Sequence, residues 1–261
     1  MRFLIVSVFF LMLASPVLAM SPEGCGAGEC RDCHSMNLQE ASALLGQAVD
    51  RVVAVDFSEV PGLWVVETEK GGRKFPLYID FSKQYLVAGN IVRLTDNQNI
   101  TQNRLVDLNR VDTKAIPTGD ALLLGRKEAK RKVIVFTDPE CPYCRKLHDE
   151  MKDVVARDPD TAFLIKMFPL KMHPKAHDIA KTILCTRSIE HLNDAFAGKA
   201  VPPPLCNTDA VEKSLADGEA VGVRSTPTII LPDGRVIPGF KKADDILRLV
   251  GSPLAPPPEE E

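Results

Sequence analysis

The sequence predicts an α+β chain built from two folded parts, and three observations carry that prediction. Between Val52 and Leu94 four β-rich runs are separated by turn-forming breaks, with one amphipathic helical stretch ahead of them. From Lys132 onward strand and helix patterns alternate, the sign of a layered α/β unit. Between the two, Val111 to Gly119 is polar and ends in Pro117-Thr118-Gly119, the best candidate for an interdomain connector. A length of 261 residues suits one to two domains, and 45% hydrophobic with 26% charged residues excludes a collagen-like, fully disordered or polytopic membrane chain. A net charge of -3 gives no basic field, which argues against nucleic acid as a partner.

Taken in order, residues 1–19 carry Arg2, the apolar run Phe3 to Leu13, and small residues up to Ala19 that suit a signal peptidase. The run is shorter than the roughly 20 residues a helix needs to cross a bilayer, so it reads as a cleaved signal peptide. Met20 rather than Cys follows Ala19, which argues against a lipoprotein. Leu38, Ala41, Leu44, Leu45 and Val49 recur at helical spacing, with Asn37 as N-cap and Glu40 three residues on. Val52 to Phe57, Leu63 to Thr68, Phe75 to Ile79 and Tyr85 to Leu94 then form a small antiparallel sheet, so residues 20–98 make the first domain. Asn99 to Arg110 returns to helical spacing, and residues 99–125 are read as a helical linker and connector.

The second domain, residues 126–251, begins with a buried strand at Val133 to Phe136. A helix from Cys141 to Ala156, a strand from Ala162 to Phe168, and helices at Pro174 to Arg187, Ile189 to Phe196 and Thr208 to Val221 follow. Thr228 to Leu231 and Arg235 to Ile237 flank Pro232-Asp233-Gly234 as a hairpin, and Ala243 to Val250 is the last helix. Residues 252–261, with four prolines and three terminal glutamates, read as a disordered tail. The sequence holds no internal repeat.

Export would put the seven cysteines in an oxidising compartment. Cys141-Pro142-Tyr143-Cys144 follows a strand and opens a helix, and that position sets its chemistry. Unpaired N–H groups and the macrodipole at a helix N-terminus stabilise negative charge, which holds the Cys141 sulfur partly as thiolate, the attacking species. Cys144, three residues on, can close a disulfide with Cys141 or displace a substrate trapped there. Pro142 suits the first helical turn, where its missing N–H costs little. An inert local disulfide or half of a zinc site would use the same two residues, but no second Cys-x-x-Cys lies in this domain.

Arg224-Ser225-Thr226-Pro227-Thr228, directly before a strand and 86 residues beyond Cys141 at Pro227, supplies independent support. Together these parts resemble the thioredoxin fold. The resemblance implies that Pro227 is cis beside the sulfurs and that the Thr226 backbone pairs with an extended substrate. Phe136-Thr137-Asp138, Cys141 to Cys144, Lys146-Leu147-His148 and the Asn99-Ile100-Thr101 helix resemble, more closely, the periplasmic disulfide isomerases DsbC and DsbG, over roughly residues 52–250. That family implies an α+β homodimer, with an N-terminal cystatin-like dimerisation domain, a helical linker and a C-terminal thioredoxin-fold domain carrying a helical insertion. It also implies a structural disulfide between Cys185 and Cys206, misoxidised exported proteins as clients, a DsbD-type membrane thiol reductase as electron donor, and chaperone activity. A second redox centre at Cys185 and Cys206 is the rival reading of that pair. A dithiol oxidase, a sulfenic-acid reductase, or a client-holding chaperone with a slow dithiol are the rival readings of the whole.

Cys30-Arg31-Asp32-Cys33-His34 departs from that family, for Cys-x-x-Cys-His is the pattern of covalent c-type haem attachment. Disulfides among Cys25, Cys30 and Cys33, or a zinc site of three Cys and one His, fit the same residues, and the exchange chemistry requires no cofactor. His148, His173, His177 and His191 read as surface positions, and Lys166, Lys171 and Lys175 as solvated charges.

Overall fold

The computed structural model describes residues 33–257. The signal-peptide reading, Cys25, Cys30 and the terminal glutamates lie outside them. Among the described residues no helix is long and apolar enough to cross a membrane.

Helix α1 (Leu38–Leu45) starts as its sequence dictates, with the Asn37 side chain accepting from the Glu40 N–H at 2.9 Å. It covers one face of a four-stranded antiparallel sheet ordered β1-β2-β3-β4, formed by Arg51–Phe57, Leu63–Lys70, Arg73–Asp80 and Leu86–Val87. Strand alternation puts Trp64, Val66, Leu77 and Ile79 on that face, against Ala41 and Leu45. Val65 and its cross-strand partner Tyr78 point the other way and are buried too. Two small strands, β5 (Val92–Arg93) and β6 (Gln98–Asn99), pair before α2 (Ile100–Leu108). The Tyr78 and Thr101 hydroxyls lie 2.9 Å apart, which ties β3 to α2. Asn109, capping α2, fixes the other end by exchanging hydrogen bonds with the Lys74 backbone at 2.8 and 3.2 Å. The single strand expected over Tyr85 to Leu94 is therefore two short ones, broken around Gly89-Asn90.

Beyond α2 the connector is bonded to the second sheet rather than looping free. The Val111 N–H donates to the Gly234 carbonyl at 2.8 Å, and Arg110 pairs with Asp233. A Cβ on Gly234, whose φ is +88°, would meet the Val111 carbonyl oxygen at 2.2 Å, so this close approach requires glycine. Ile116 is buried among Ile134, Phe136, Phe168, Val223 and Ile230.

The second sheet is mixed and ordered β11-β10-β8-β9-β7, from β7 (Leu122–Leu124), β8 (Arg131–Thr137), β9 (Thr161–Met167), β10 (Thr228–Ile230) and β11 (Val236–Pro238). β8 and β9 run parallel, joined by α3 (Pro142–Arg157) as a parallel pair requires; the other pairs are antiparallel. α3 buries Cys144, Leu147, Met151 and Val154, spaced three or four apart, and a full burial of each large apolar side chain is worth roughly 1.5–3 kcal/mol. α4 (Ala176–Thr186), α5 (Ile189–Phe196) and α6 (Ala210–Ala220) are inserted between β9 and β10, and α7 (Ala243–Leu249) packs beside α3. An N-terminal sheet with helices and a mixed C-terminal sheet of thioredoxin-like type with extra helices make the α+β architecture. The segment from Ser252, expected to be disordered, turns back: the Ser252 N–H donates to Leu247 at 2.9 Å, and Ala255 packs on the core.

Lys166 corrects another expectation. Rather than a solvated charge it is fully buried in β9, where its ammonium meets the Pro117 carbonyl at 2.7 Å and the carboxylates of Asp120 and Asp217. A buried charge persists only with such compensation, and this one holds connector, sheet and α6 together.

Candidate functional site

The site forms where β8 ends. Asp138 turns the chain: its carbonyl accepts from the Cys141 N–H at 3.1 Å, and its buried carboxylate accepts from the Glu140 N–H at 2.8 Å. Cys141 takes the N-cap position of α3 in extended conformation, and Pro142 occupies the first turn. The Cys141 sulfur is thus the group presented to the helix's unpaired donors, as its place in the sequence implied.

Cys141 and Cys144 are both thiols, and their environments drive them apart. A hydrogen bond from Cys144 and the N–H groups of Cys144 and Tyr143 lower the Cys141 pKa to about 6, below the ordinary thiol value. Cys144 sits deeper; burial and the neighbouring Cys141 push its ionisation far up, although its sulfur accepts from the Asp138 N–H at 3.4 Å. At neutral pH the arrangement is one thiolate, at the helix tip, beside one neutral thiol beneath it.

The Thr226–Pro227 peptide is cis and lies against this pair, with the Cys141 sulfur 3.6 Å from the Thr226 carbonyl oxygen. Gly239 N–H donates to the Pro227 carbonyl at 2.8 Å, anchoring the loop to the chain after β11. Cys141, Cys144, Thr226 and Pro227 are therefore brought together from segments more than 80 residues apart. Pro142 forms part of an adjoining open cleft of about 890 Å³, whereas Tyr143 projects into solvent, more than half exposed, with the Lys146 ammonium 5.6 Å from its ring centre.

Cys185, in α4, is joined to Cys206 in a disulfide. The bond closes a span that holds the Pro202-Pro203-Pro204 segment, whose Pro202 carbonyl accepts from Thr182 at 2.8 Å. Those prolines and the end of α5 form the far wall of the cleft.

Two residues escaped sequence reasoning. His148, read as a surface position, is buried: its Nε2–H donates to Asn193 at 2.8 Å and its ring packs on Phe196. Its place one turn after Cys144, on the buried stripe of α3, was the available signal. His173 donates through Nδ1 to the Asp138 carboxylate at 2.8 Å, a contact across 35 residues that no local pattern announces. Cys33 and His34 are not joined to this centre. The His34 ring lies tilted against Phe81, centres 4.5 Å apart, beside Trp64. Among the described residues no cluster of three or more His, Cys, Asp or Glu is arranged to hold a metal ion.

The family model for a thioredoxin-like domain matches residues 120–252. The thiol:disulfide interchange protein DsbC of Salmonella typhimurium is 30% identical over 209 residues, 78% of this chain and 81% of that protein. The chain belongs to the DsbC family. The DsbC of Escherichia coli K12 is also 30% identical, over 70% of this chain and 74% of its own length. A solved periplasmic thioredoxin-like protein from Salmonella enterica serovar Typhimurium superposes with a TM-score of 0.44 at 23% identity, covering 56% of this chain and 99% of that one. As a DsbC-family member with a thioredoxin-like domain and two adjacent thiols, the protein is a thiol-disulfide oxidoreductase.

Proposed function

We propose that this DsbC-family protein isomerises, and in part reduces, wrong disulfides in exported proteins through Cys141 and Cys144, and that it works in the periplasm. The observation that carries the reading is the opposed ionisation of the two sulfurs. The Cys141 thiolate attacks one sulfur of a client disulfide, forming a mixed disulfide and releasing a client thiolate. If that thiolate attacks another client disulfide and a client sulfur then displaces Cys141, the client is isomerised with no net electron transfer. If Cys144 instead loses its proton and displaces the client, the client leaves reduced and Cys141–Cys144 leaves oxidised. The buried, protonated state of Cys144 slows that second route, which favours isomerisation. A membrane thiol reductase of the DsbD type would return the oxidised pair to dithiol.

In this scheme the cis-proline loop supplies the Thr226 backbone to an extended client segment, and Pro142 and Tyr143 border the point of attack. The first domain, residues 20–98, acts as a cystatin-like dimerisation unit, with residues 99–125 as linker and 126–251 as the catalytic domain. Supporting a dimer, β4 is an edge strand with Leu86 and Val87 exposed, and Tyr85, Val92 and Leu94 extend the apolar surface beside it. The apolar surfaces of two copies would hold unfolded client, a chaperone-like role. Neither the exchange nor the holding step draws on the Cys30-x-x-Cys33-His34 motif.

Refolding of a scrambled multi-disulfide protein in a glutathione buffer tests the proposal. The mature protein should restore client activity, Cys141→Ala should restore none, and Cys144→Ala should retain part of it. Equal reactivation by wild type and Cys141→Ala would overturn it.

A further inference from the structure

Asp138 presents an electrostatic difficulty. Its carboxylate has no exposed surface, and its main chain touches both reactive residues, through the N–H to the Cys144 sulfur at 3.4 Å and the carbonyl to the Cys141 N–H at 3.1 Å. A buried negative charge on the residue that braces both cysteines opposes formation of a thiolate there unless it is compensated. Backbone donors from Glu140 and Leu170, at 2.8 and 2.7 Å, supply part of the compensation. Among the described residues His173 is the one basic side chain bonded to it, at 2.8 Å. His173 stands in the loop after β9, half-buried, and reaches an Asp138 carboxylate that is fully buried, so the contact is a built feature and not a chance surface pair.

We propose that His173 is a positioning residue for the dithiol: as an imidazolium it neutralises Asp138, so that this carboxylate can brace the Cys141 turn without suppressing the Cys141 thiolate. The inference rests on the reading of Cys141 as the nucleophile. His173 is held above the usual histidine range, first by its bond to Asp138 and to a smaller extent by the charges of Cys141 and Glu140. The groups facing it are Asp138 at the end of β8 and Glu140 and Cys141 ahead of α3, with exposed Lys171 and Lys175 flanking it in its own loop. Linkage is reciprocal: if the thiolate raises the proton affinity of His173, the imidazolium lowers that of Cys141 to the same degree. Because the thiolate belongs to the reduced form, the imidazolium also favours reduction, in which two glutathione thiols convert the Cys141–Cys144 disulfide to the dithiol and one glutathione disulfide.

The test uses the full mature chain and follows Cys141 ionisation by thiolate absorbance against pH, together with the glutathione equilibrium. In wild type the midpoint should lie near 6. His173→Asn, which keeps an N–H donor but loses the charge, should raise the midpoint. It should also lower thiolate reactivity at that pH by about threefold or more, and lower the equilibrium constant for reduction. The double variant Asp138→Asn/His173→Asn, lacking both charges, should return the midpoint toward wild type, an outcome that a purely structural role does not give. A wild-type midpoint in His173→Asn, or a double variant shifted as far as the single one, overturns the proposal. In the unaltered protein, nuclear magnetic resonance should find the His173 pKa higher in the reduced than in the oxidised form, and equal values would likewise overturn it. A wild-type midpoint at the value of an ordinary thiol would instead remove the nucleophile reading itself, whatever the variants do.

Discussion

Cys141 and Cys144 are the same chemical group three residues apart, yet one ionises near 6 and the other is held neutral. The difference is one helical turn of depth: the first sulfur meets unpaired N–H donors, the second meets the core. Burial acts on His148 as well, pushing its ionisation below the usual histidine value, with nearby Lys152 adding to the effect. In the unfolded chain His148 takes up its proton near pH 6.5, before the folded form does. Its contribution is therefore complete above that pH and is lost as pH falls through the lower folded value. Urea midpoints measured from pH 7 downward should fall less steeply in His148→Gln than in wild type, and equal slopes would contradict a buried neutral imidazole. The place of Cys141 at a helix start was legible in the sequence because a strand, a short loop and Cys-Pro-Tyr-Cys fix that start locally. The burial of His148 and Lys166 and the Asp138–His173 bond were not, because each depends on partners from distant elements.

At the scale of elements, the periodic helices were the most legible. Ile189–Phe196 was read to the residue, with Ser188 capping through the His191 N–H as its sequence invites. The short strands were least legible. β7 has three residues and gains its identity only by pairing with β9, and the run Tyr85 to Leu94 looks continuous until Gly89-Asn90 breaks its pairing. The insertion of α4 and α5 depends on a covalent closure: Cys185 and Cys206 are 21 residues apart, and a cross-link of that span stabilises by about 3 kcal/mol, mainly through the unfolded chain. Cys185→Ala/Cys206→Ala should lower the unfolding free energy in urea by about that amount while Cys141 keeps its alkylation rate. Unchanged stability with lost disulfide exchange would mark the pair as a second redox centre instead.

At the scale of the molecule, two sheets are joined by a connector that is bonded to the second through Val111, Ile116 and Lys166. The order of parts was visible in the sequence, since hydrophobic period, Gly and Pro breaks, the Cys-Pro-Tyr-Cys helix start and the Thr226-Pro227 turn are local signals. The mixed strand order was not, because it depends on which strands pair across long separations. What this architecture delivers is one sulfur of lowered pKa, backed by a second and faced by a cis-proline loop, at the edge of an open cleft. The most direct test is to mix reduced Cys144→Ala protein with a client carrying wrong disulfides, quench with acid and map the linkage by mass spectrometry. The account predicts a covalent adduct joined only through Cys141 that dissolves on adding thiol, and none with Cys141→Ala. An adduct through Cys33 or Cys206, or no adduct at all, would contradict it.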